Sequence, residues 1–381
     1  ENGIYTLTVK QSMNPPFLIP FAVKIGKHEE DISLKEKEQT FNYHDLPAKP
    51  VPSLLRGFSA PVILNYPYTE ADLVHLLAND DDPFNRWEAA QRLATEIILK
   101  RGGKPTESFL HSMGKVLEET DHAFVAEVLT LPSETFLAEQ MGVVDPDELH
   151  ASRNTLRRAL ALNFRKEFLE TYRTLEIAAP YSPDAVSAGR RALRNLALST
   201  LMELETGDVV ALCYEQFSQS DNMTDQFAAL AALANSTATQ RGSALDSFYG
   251  KWKDEPLIVD KWLAVQAGSR LPGTLARVQE LLVHPAFDIK VPNKVYSLIR
   301  GFSANHVRFH AADGAGYAFL ADQVLALDKL NPQVAARIAR AFDRWQRFDL
   351  DRKSKSKFQL ERIRGAEGLS KDVAEIVGKA L

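Results

Sequence analysis

The spacing of apolar residues along the chain changes near residue 68. Residues Tyr5 to Val9 alternate polar and apolar side chains, and segments 17–25 and 62–64 are apolar and partly β-branched, which predicts strands. Prolines interrupt this region at positions 15, 16, 20, 50, 52 and 61. Because proline in sheets is confined to strand edges and turns, we predict a small, partial β-sandwich over residues 1–68.

From Thr69 onward apolar residues recur with a period of about 3.6, which predicts amphipathic helices. One helix face is expected to carry Leu193, Leu196, Ala197, Leu201 and Leu204, and another Leu156, Leu160, Phe164 and Phe168. Helix starts are expected where a capping side chain precedes proline, at Asp82-Pro83, Asp145-Pro146, Ser182-Pro183 and Asn331-Pro332. We therefore predict a mainly α fold, in which residues 69–381 form an irregular α-superhelix of antiparallel helix pairs without a consensus repeat.

Composition and charge limit the classes of function. A chain of 381 residues exceeds the usual size of a single core, and two or more domains are expected. The net charge of −5 gives no electrostatic footprint for nucleic acid. No apolar run approaches the ~20 residues of a membrane span, and the first residues lack the pattern of a signal peptide. We expect a cytoplasmic protein with neither nucleic-acid nor membrane partners.

Several residues that could carry chemistry have a simpler structural interpretation. The single cysteine, Cys213, lies in an apolar helical stretch, which favours a buried, inert thiol over a nucleophile and allows no intrachain disulfide. Gly314 and Gly316 lack the third glycine and the preceding strand of a phosphate-binding loop. The acidic run 80–82 is expected mainly to cap the helix that follows it.

A zinc peptidase requires two histidines one helical turn apart, with a glutamate between them. His28 is followed by Glu29, but Ile32 stands where the second histidine is required, and we interpret the segment as a turn. His306 and His310 have the correct spacing without an intervening carboxylate. We interpret His310 as a capped or hydrogen-bonded loop histidine. The residues of this chain therefore show no complete catalytic set and predict no metal site.

Segment 331–348 carries two adjacent stripes with helical spacing. The apolar stripe contains Val334, Ile338, Ala341, Phe342, Trp345 and Phe348, and the polar stripe contains Gln333, Arg337, Arg340, Arg344 and Arg347. Such a polar stripe is usually a solvated face with acidic neighbours. The alternative is a cavity wall on which guanidinium groups bind a peptide carbonyl or carboxylate through two parallel hydrogen bonds. The basic run 352–357 is expected to be a solvated helix face.

Several segments, in order along the whole chain, resemble the carboxyl-terminal part of the bacterial aminopeptidase N family. These enzymes are zinc-dependent exopeptidases that trim peptide amino termini. The segment 309–319, Phe-His-Ala-Ala-Asp-Gly-Ala-Gly-Tyr-Ala-Phe, is the most informative. The others are segments 52–62, 86–91, 126–133, 222–225, 259–262, 291–302 and 331–337.

The resemblance implies a parent enzyme with four parts, of which this chain matches the end of a small β-sandwich and the complete helical domain. The family's zinc ligands, its catalytic glutamate and its oxyanion-binding tyrosine lie upstream and have no counterpart here. The chain is therefore expected to bind no Zn²⁺ and to be inactive by itself. Its expected partners are the catalytic and amino-terminal domains of the same polypeptide and short peptide substrates.

The resemblance also implies a role for four residues in the chamber that the family's helical domain forms over the zinc site. Gln333 and Arg337 match positions that line this chamber on the side of the leaving peptide, and Asn293 lies in the matching Pro-Asn segment. Tyr296 stands where relatives can carry an arginine, so this wall is expected to be less basic. The alternative hypothesis, favoured by composition and periodicity alone, is a helical scaffold that binds protein partners.

Overall fold

The computed structural model describes residues 3–176 and 179–381. The chain divides into two compact units. The first runs from the amino terminus to Arg101 and also contains Pro105–Pro132 and Asp184–Leu193. The second contains Gly102–Lys104, Ser133–Pro183 and Arg194–Leu381. The first compact unit thus contains several helices as well as the strands. The division into domains 1–68 and 69–381 stays a prediction.

The first unit begins with five strands. They are β1 (Tyr5–Lys10), β2 (Ile19–Ile25), β3 (His28–Leu34), β4 (Glu38–Tyr43) and β5 (Ser53–Leu54). Strand β1 pairs antiparallel with β4, and β2 lies between β3 and β5 in a second antiparallel sheet. Leu7, Phe21, Val23 and Ile25 are buried in a common core, because alternate side chains of each strand point to one face.

The β region differs from its prediction in two places. Residues 62–64 form no strand, and the Ile63 side chain is 92% exposed. The segment that begins at His28 is strand β3, whereas the turn itself lies at Gly26, where φ is 60°. Strand β3 was not predicted because its first four residues are polar, three of them are exposed, and the first buried residue is Ile32.

Most of the other described residues lie in helices, which confirms the mainly α fold. In chain order they are α1 (Glu70–Asn79), α2 (Pro83–Arg101), α3 (Glu107–Leu117), α4 (His122–Leu129), α5 (Glu134–Glu139), α6 (Pro146–Asn163), α7 (Arg165–Thr174), α8 (Ala185–Leu201), α9 (Gly207–Gln219), α10 (Met223–Ala234), α11 (Gln240–Trp252), α12 (Pro256–Ala267), α13 (Thr274–Leu282), α14 (Pro292–Val295), α15 (Gly301–Ser303), α16 (His306–Phe309), α17 (Ala315–Asp328), α18 (Pro332–Ala339), α19 (Leu350–Arg364) and α20 (Lys371–Ala380). Over the described residues, none of these helices is both long and apolar enough to cross a membrane.

Three of the four predicted helix starts are confirmed. Asp82, Asp145 and Asn331 each accept a hydrogen bond from a backbone N–H in the first turn of the helix that follows. The prediction at Ser182 is wrong, because α8 begins at Ala185 and the Asp184 carboxylate accepts the first-turn N–H. The sequence offered two capping side chains on either side of a proline, and the second one is used.

Two predicted helix faces are interrupted. Phe164 has φ −113° and ψ 27° and separates α6 from α7, although Phe168 beyond it is buried as expected. Helix α18 ends at Ala339, and the chain continues through two short 3₁₀ turns, Arg340–Phe342 and Trp345–Arg347. The polar stripe predicted over segment 331–348 is therefore not one continuous face.

The glycine pair in segment 309–319 has a packing role. Gly314 adopts φ +74° immediately before α17, a conformation that side chains disfavour. At Gly316 an added Cβ would lie 2.3 Å from the carbonyl oxygen of Phe309. The aromatic rings of Phe309 and Tyr317 pack edge to face at 5.3 Å. The two glycines thus allow α17 to lie directly against the preceding turn.

Candidate functional site

Tyr296 and Arg337 meet where two helical segments pack together. Helix α14 passes into a π-helical turn, Tyr296–Arg300, and then into α15, so that residues 292–303 form one helical run. Arg337 projects from α18 and places its Nη1 atom 3.4 Å from the hydroxyl oxygen of Tyr296, to which it donates. Single π-helical turns are often found at functional sites.

The two segments bury their apolar side chains and expose their polar ones. Val295, Leu298, Ile299 and Phe302 are buried on the first segment, and Val334, Ala335, Ile338 and Ala339 on α18. Asn293, Gln333 and Arg337 are exposed, and Tyr296 is half-buried. The four residues that sequence analysis selected therefore lie on the polar side of these segments, although no hydrogen bond among the described residues joins Asn293 or Gln333 to the Tyr296–Arg337 pair.

A buried ion pair fixes the start of the first segment. The Lys294 ammonium lies 2.9 Å from the Asp260 carboxylate of α12, and both side chains are largely buried. The same ammonium donates to the carbonyl oxygen of Pro256 at 3.1 Å. Because breaking a buried pair leaves an uncompensated charge, this contact holds α14 against α12.

The arginines of the predicted polar stripe have separate environments. Arg340 pairs with Asp343 at 3.0 Å, and Arg344 pairs with Glu139. Arg347 donates to the backbone carbonyl oxygens of Glu139, the last residue of α5, and Met141 just beyond it. The solvated interpretation with acidic neighbours thus fits Arg340 and Arg344. Within the described residues, Arg337 has no carboxylate within 4.0 Å, and its guanidinium donates to the Tyr296 hydroxyl.

The basic run 352–357 differs from its expected solvated face at Arg352. This side chain is buried and donates to the backbone carbonyl oxygen of His310 at 2.7 Å. It also pairs with Asp349 at 2.6 Å and with Asp147. The burial of Arg352 could not be predicted from sequence spacing, because Asp147 lies some two hundred positions away and its proximity depends on the tertiary fold.

The two histidines with helical spacing are buried and held by other contacts. His310 Nδ1 lies 2.9 Å from the Tyr317 hydroxyl, which confirms the interpretation as a hydrogen-bonded histidine at a helix end. Burial holds the pKa of His310 well below its usual value, and the neighbouring His306 lowers it further. His306 Nδ1 lies 4.0 Å from a Glu134 oxygen, and burial also lowers its pKa. Both rings are therefore neutral near pH 7.

A polar network that includes Glu134 has no signature in the sequence. His150 contacts Glu134 at 2.6 Å through Nδ1 and Asn154 at 2.8 Å through Nε2. Asn154 accepts a hydrogen bond from Arg270, which also pairs with Glu203 at 2.8 Å. The partners are up to 116 positions apart, and no spacing rule in the sequence could have connected them.

The charge balance of this network explains its ionisation states. Burial would raise the pKa of Glu134, but the hydrogen bond from His150 and the charge of Arg153 hold it below its usual value. Burial lowers the pKa of Arg157 to about 10, despite the nearby Glu203 carboxylate. The Glu134 carboxylate and the Arg157 guanidinium therefore stay charged at neutral pH. The network connects α5, α6 and the turn after α12, and it has the character of a structural support.

The described part of the chain has no metal-binding cluster, and its cysteine is buried. Residues 3–176 and 179–381 contain no cluster of three or more His, Cys, Asp or Glu side chains that could hold a metal ion. These residues therefore do not fit a zinc site. Cys213 is buried, and burial raises the pKa of its thiol to about 12, which confirms the prediction of an inert cysteine.

Comparison with known families then decides the family membership. The model described as "Domain of unknown function (DUF3458_C) ARM repeats" matches residues 70–381, and that described as "Domain of unknown function (DUF3458) Ig-like fold" matches residues 1–67. The chain belongs to the DUF3458 family. Both descriptions agree with the helices and the small β region of this DUF3458 chain.

Three similar curated proteins share one name. The DUF3458 chain is 38% identical to aminopeptidase N of Caulobacter vibrioides over 94% of its own length and 42% of that protein. It is 35% identical to aminopeptidase N of Escherichia coli over 100% and 48%, and 34% identical to that of Haemophilus influenzae over 92% and 41%. The chain therefore spans less than half the length of these relatives, and it matches their carboxyl-terminal part.

A solved structure gives the same result. The DUF3458 chain superposes with a TM-score of 0.90 and 29% identity on a crystal structure of Legionella pneumophila aminopeptidase A in complex with aspartic acid. The match covers 100% of this chain and 47% of that protein. The resemblance to aminopeptidase N is thus confirmed, and the alternative of a helical scaffold for protein partners is not favoured.

Proposed function

We propose that this DUF3458 chain is the non-catalytic, carboxyl-terminal portion of a cytoplasmic zinc aminopeptidase that removes amino-terminal residues from peptides. The observation that carries the proposal is the similarity of almost the whole chain to less than half of three aminopeptidases N. Since the described residues contain no metal-binding cluster, zinc and the groups that break the bond belong to the upstream part of the polypeptide.

In this proposal the chain binds and orients the part of the peptide beyond the cleaved bond. Gln333, Arg337, Asn293 and Tyr296 form the wall on the leaving-peptide side. The support is geometric: three of these side chains are exposed, and Arg337 lacks a carboxylate partner among the described residues while Tyr296 orients its guanidinium. A peptide held in a fixed position reaches the reacting groups with less loss of entropy, which accelerates cleavage without any chemical role for the wall.

The test is the Arg337→Ala substitution in the full-length enzyme. Peptides should lose about tenfold in kcat/KM, since a hydrogen bond from a charged group is worth roughly 1.5–3 kcal/mol and this site is exposed. An amino-acid anilide has no leaving peptide, and its hydrolysis should be unchanged. The control is Arg364→Ala, which removes an exposed arginine at the end of α19. Equal losses on peptides and anilide would refute a role for Arg337 in holding the leaving peptide.

A further inference from the structure

Arg300 shares the polar side of its helical run with Asn293 and Tyr296. Burial identifies this side, because Val295, Leu298, Ile299 and Phe302 are fully buried while Arg300 is exposed. Tyr296 and Arg300 are the first and last residues of the π-helical turn, four positions apart. Among the described residues no carboxylate lies within 4.0 Å of Arg300. A second arginine without an acidic partner thus lies one turn from the Tyr296–Arg337 pair.

These side chains offer hydrogen-bond donors without a matching acceptor. Arg337 donates to the oxygen of the Tyr296 hydroxyl, so the hydroxyl proton is free to be donated to another group. Segments 291–304 and 332–339 contain no aspartate or glutamate. The positive charge of Lys294 is already neutralised by Asp260, whereas the charges of Arg300 and Arg337 are not. Such a surface favours an anionic, oxygen-bearing ligand.

We infer that Arg300, Tyr296 and Arg337 form a carboxylate-binding subsite for short leaving peptides. The inference rests on the proposed function and adds to it a specificity-determining residue, Arg300, and the charge of the group it binds. A planar guanidinium accommodates both oxygens of a carboxylate through parallel N–H donors. The carboxylate is either the carboxyl terminus of a short peptide or an acidic side chain within the leaving peptide.

The spacing of the donors limits the length of peptide that benefits. Tyr296 and Arg300 are the first and last residues of the π-helical turn, so the donors lie at fixed positions along one helical run. An extended peptide advances at most roughly 3.3–3.6 Å per residue. Each residue added to the leaving peptide therefore moves its terminal carboxylate by up to this distance relative to Arg300. The gain from a terminal carboxylate should peak at one short peptide length and fall for longer peptides.

The test uses the full-length enzyme and matched peptides of three to six residues. Each peptide is assayed as the free acid and as the carboxyl-terminal amide, and a second set compares glutamate with glutamine inside the leaving part. The wild-type enzyme should prefer one carboxylate-bearing form through a lower KM. Arg300→Ala should raise the KM for that form by roughly tenfold and leave the neutral form unchanged. Arg300→Lys should restore part of the preference, and Arg364→Ala should have no effect.

The outcomes separate the two sources and the two proposals. A preference for the acid over the amide assigns the subsite to the peptide carboxyl terminus, and a preference for glutamate over glutamine assigns it to acidic side chains. If wild-type enzyme cleaves peptides but Arg300→Ala changes charged and neutral forms equally, the subsite is refuted and the proposed function stands. If the wild-type enzyme cleaves none of the peptides, both are refuted.

Discussion

Replacement of Gly316 by alanine tests the packing that underlies the segment most characteristic of this family resemblance. Gly316 lies in the first turn of α17, and an added Cβ would approach the Phe309 carbonyl oxygen to 2.3 Å and the Phe309 carbonyl carbon to 3.0 Å. The obstacle is backbone rather than a flexible side chain. The turn around Phe309 must therefore move, and such overpacking costs typically about 1–3 kcal/mol.

Gly378 provides a matched control. It lies within α20, and an added Cβ would have no neighbour within 4 Å. Alanine there should stabilise the protein by about 0.5–1 kcal/mol, because glycine loses more backbone entropy than alanine in a helix. Glycine-to-alanine substitution should therefore lower the free energy of unfolding at Gly316 and raise it at Gly378. At Gly316 the gain in helix propensity only partly offsets the cost of the clash.

Urea denaturation followed by circular dichroism measures both effects. The midpoint for Gly316→Ala should lie below that of the parent protein and the midpoint for Gly378→Ala above it, with similar slopes. If Gly316→Ala were as stable as Gly378→Ala, the close approach of α17 to Phe309 would not exist in solution. The glycine pair would then require another explanation, such as contact with a ligand.

Two further predictions concern buried titratable groups. His306 and His310 have lowered pKa values in the folded state. The unfolded state therefore binds more protons than the folded state below about pH 6.5. For this reason the free energy of unfolding should fall on acidification from pH 7.5 to 5.5. Each histidine contributes at most about 1.4 kcal/mol per pH unit to this fall. Denaturation at each pH gives the slope of unfolding free energy against pH, and His310→Gln should reduce that slope. An unchanged slope would show that His310 is not buried and neutral. Cys213, whose pKa burial raises to about 12, should react with a thiol reagent at pH 8 only after denaturation, and rapid labelling of the native protein would contradict its burial.

Local patterns in the sequence predicted most elements of the fold. The period of 3.6, the capping side chains at Asp82, Asp145 and Asn331, and the alternation in β1 depend on residues close together in the chain. Strand β3 was missed because its exposed positions on both faces are polar. The break at Phe164 was missed because an apolar face continues on either side of it, and only the backbone angles reveal the change of direction.

The candidate site could be predicted only in part, for a related reason. Gln333, Arg337, Asn293 and Tyr296 were selected by resemblance to aminopeptidase N, and the contact between Tyr296 and Arg337 became visible only in three dimensions. The separate environments of Arg340 and Arg344 could not be predicted, because they result from the end of α18 at Ala339. No proline or glycine marks this end in the sequence. The Glu134 network joins residues far apart in sequence, and such pairings depend on tertiary packing.

The most direct test of the central claim is a measurement of zinc content and of amino-acid anilide hydrolysis on the purified chain of 381 residues. The account predicts neither stoichiometric zinc nor turnover for this chain alone, and activity when the upstream part of the polypeptide is present in the same protein. Stoichiometric zinc together with anilide hydrolysis by the isolated chain would contradict it.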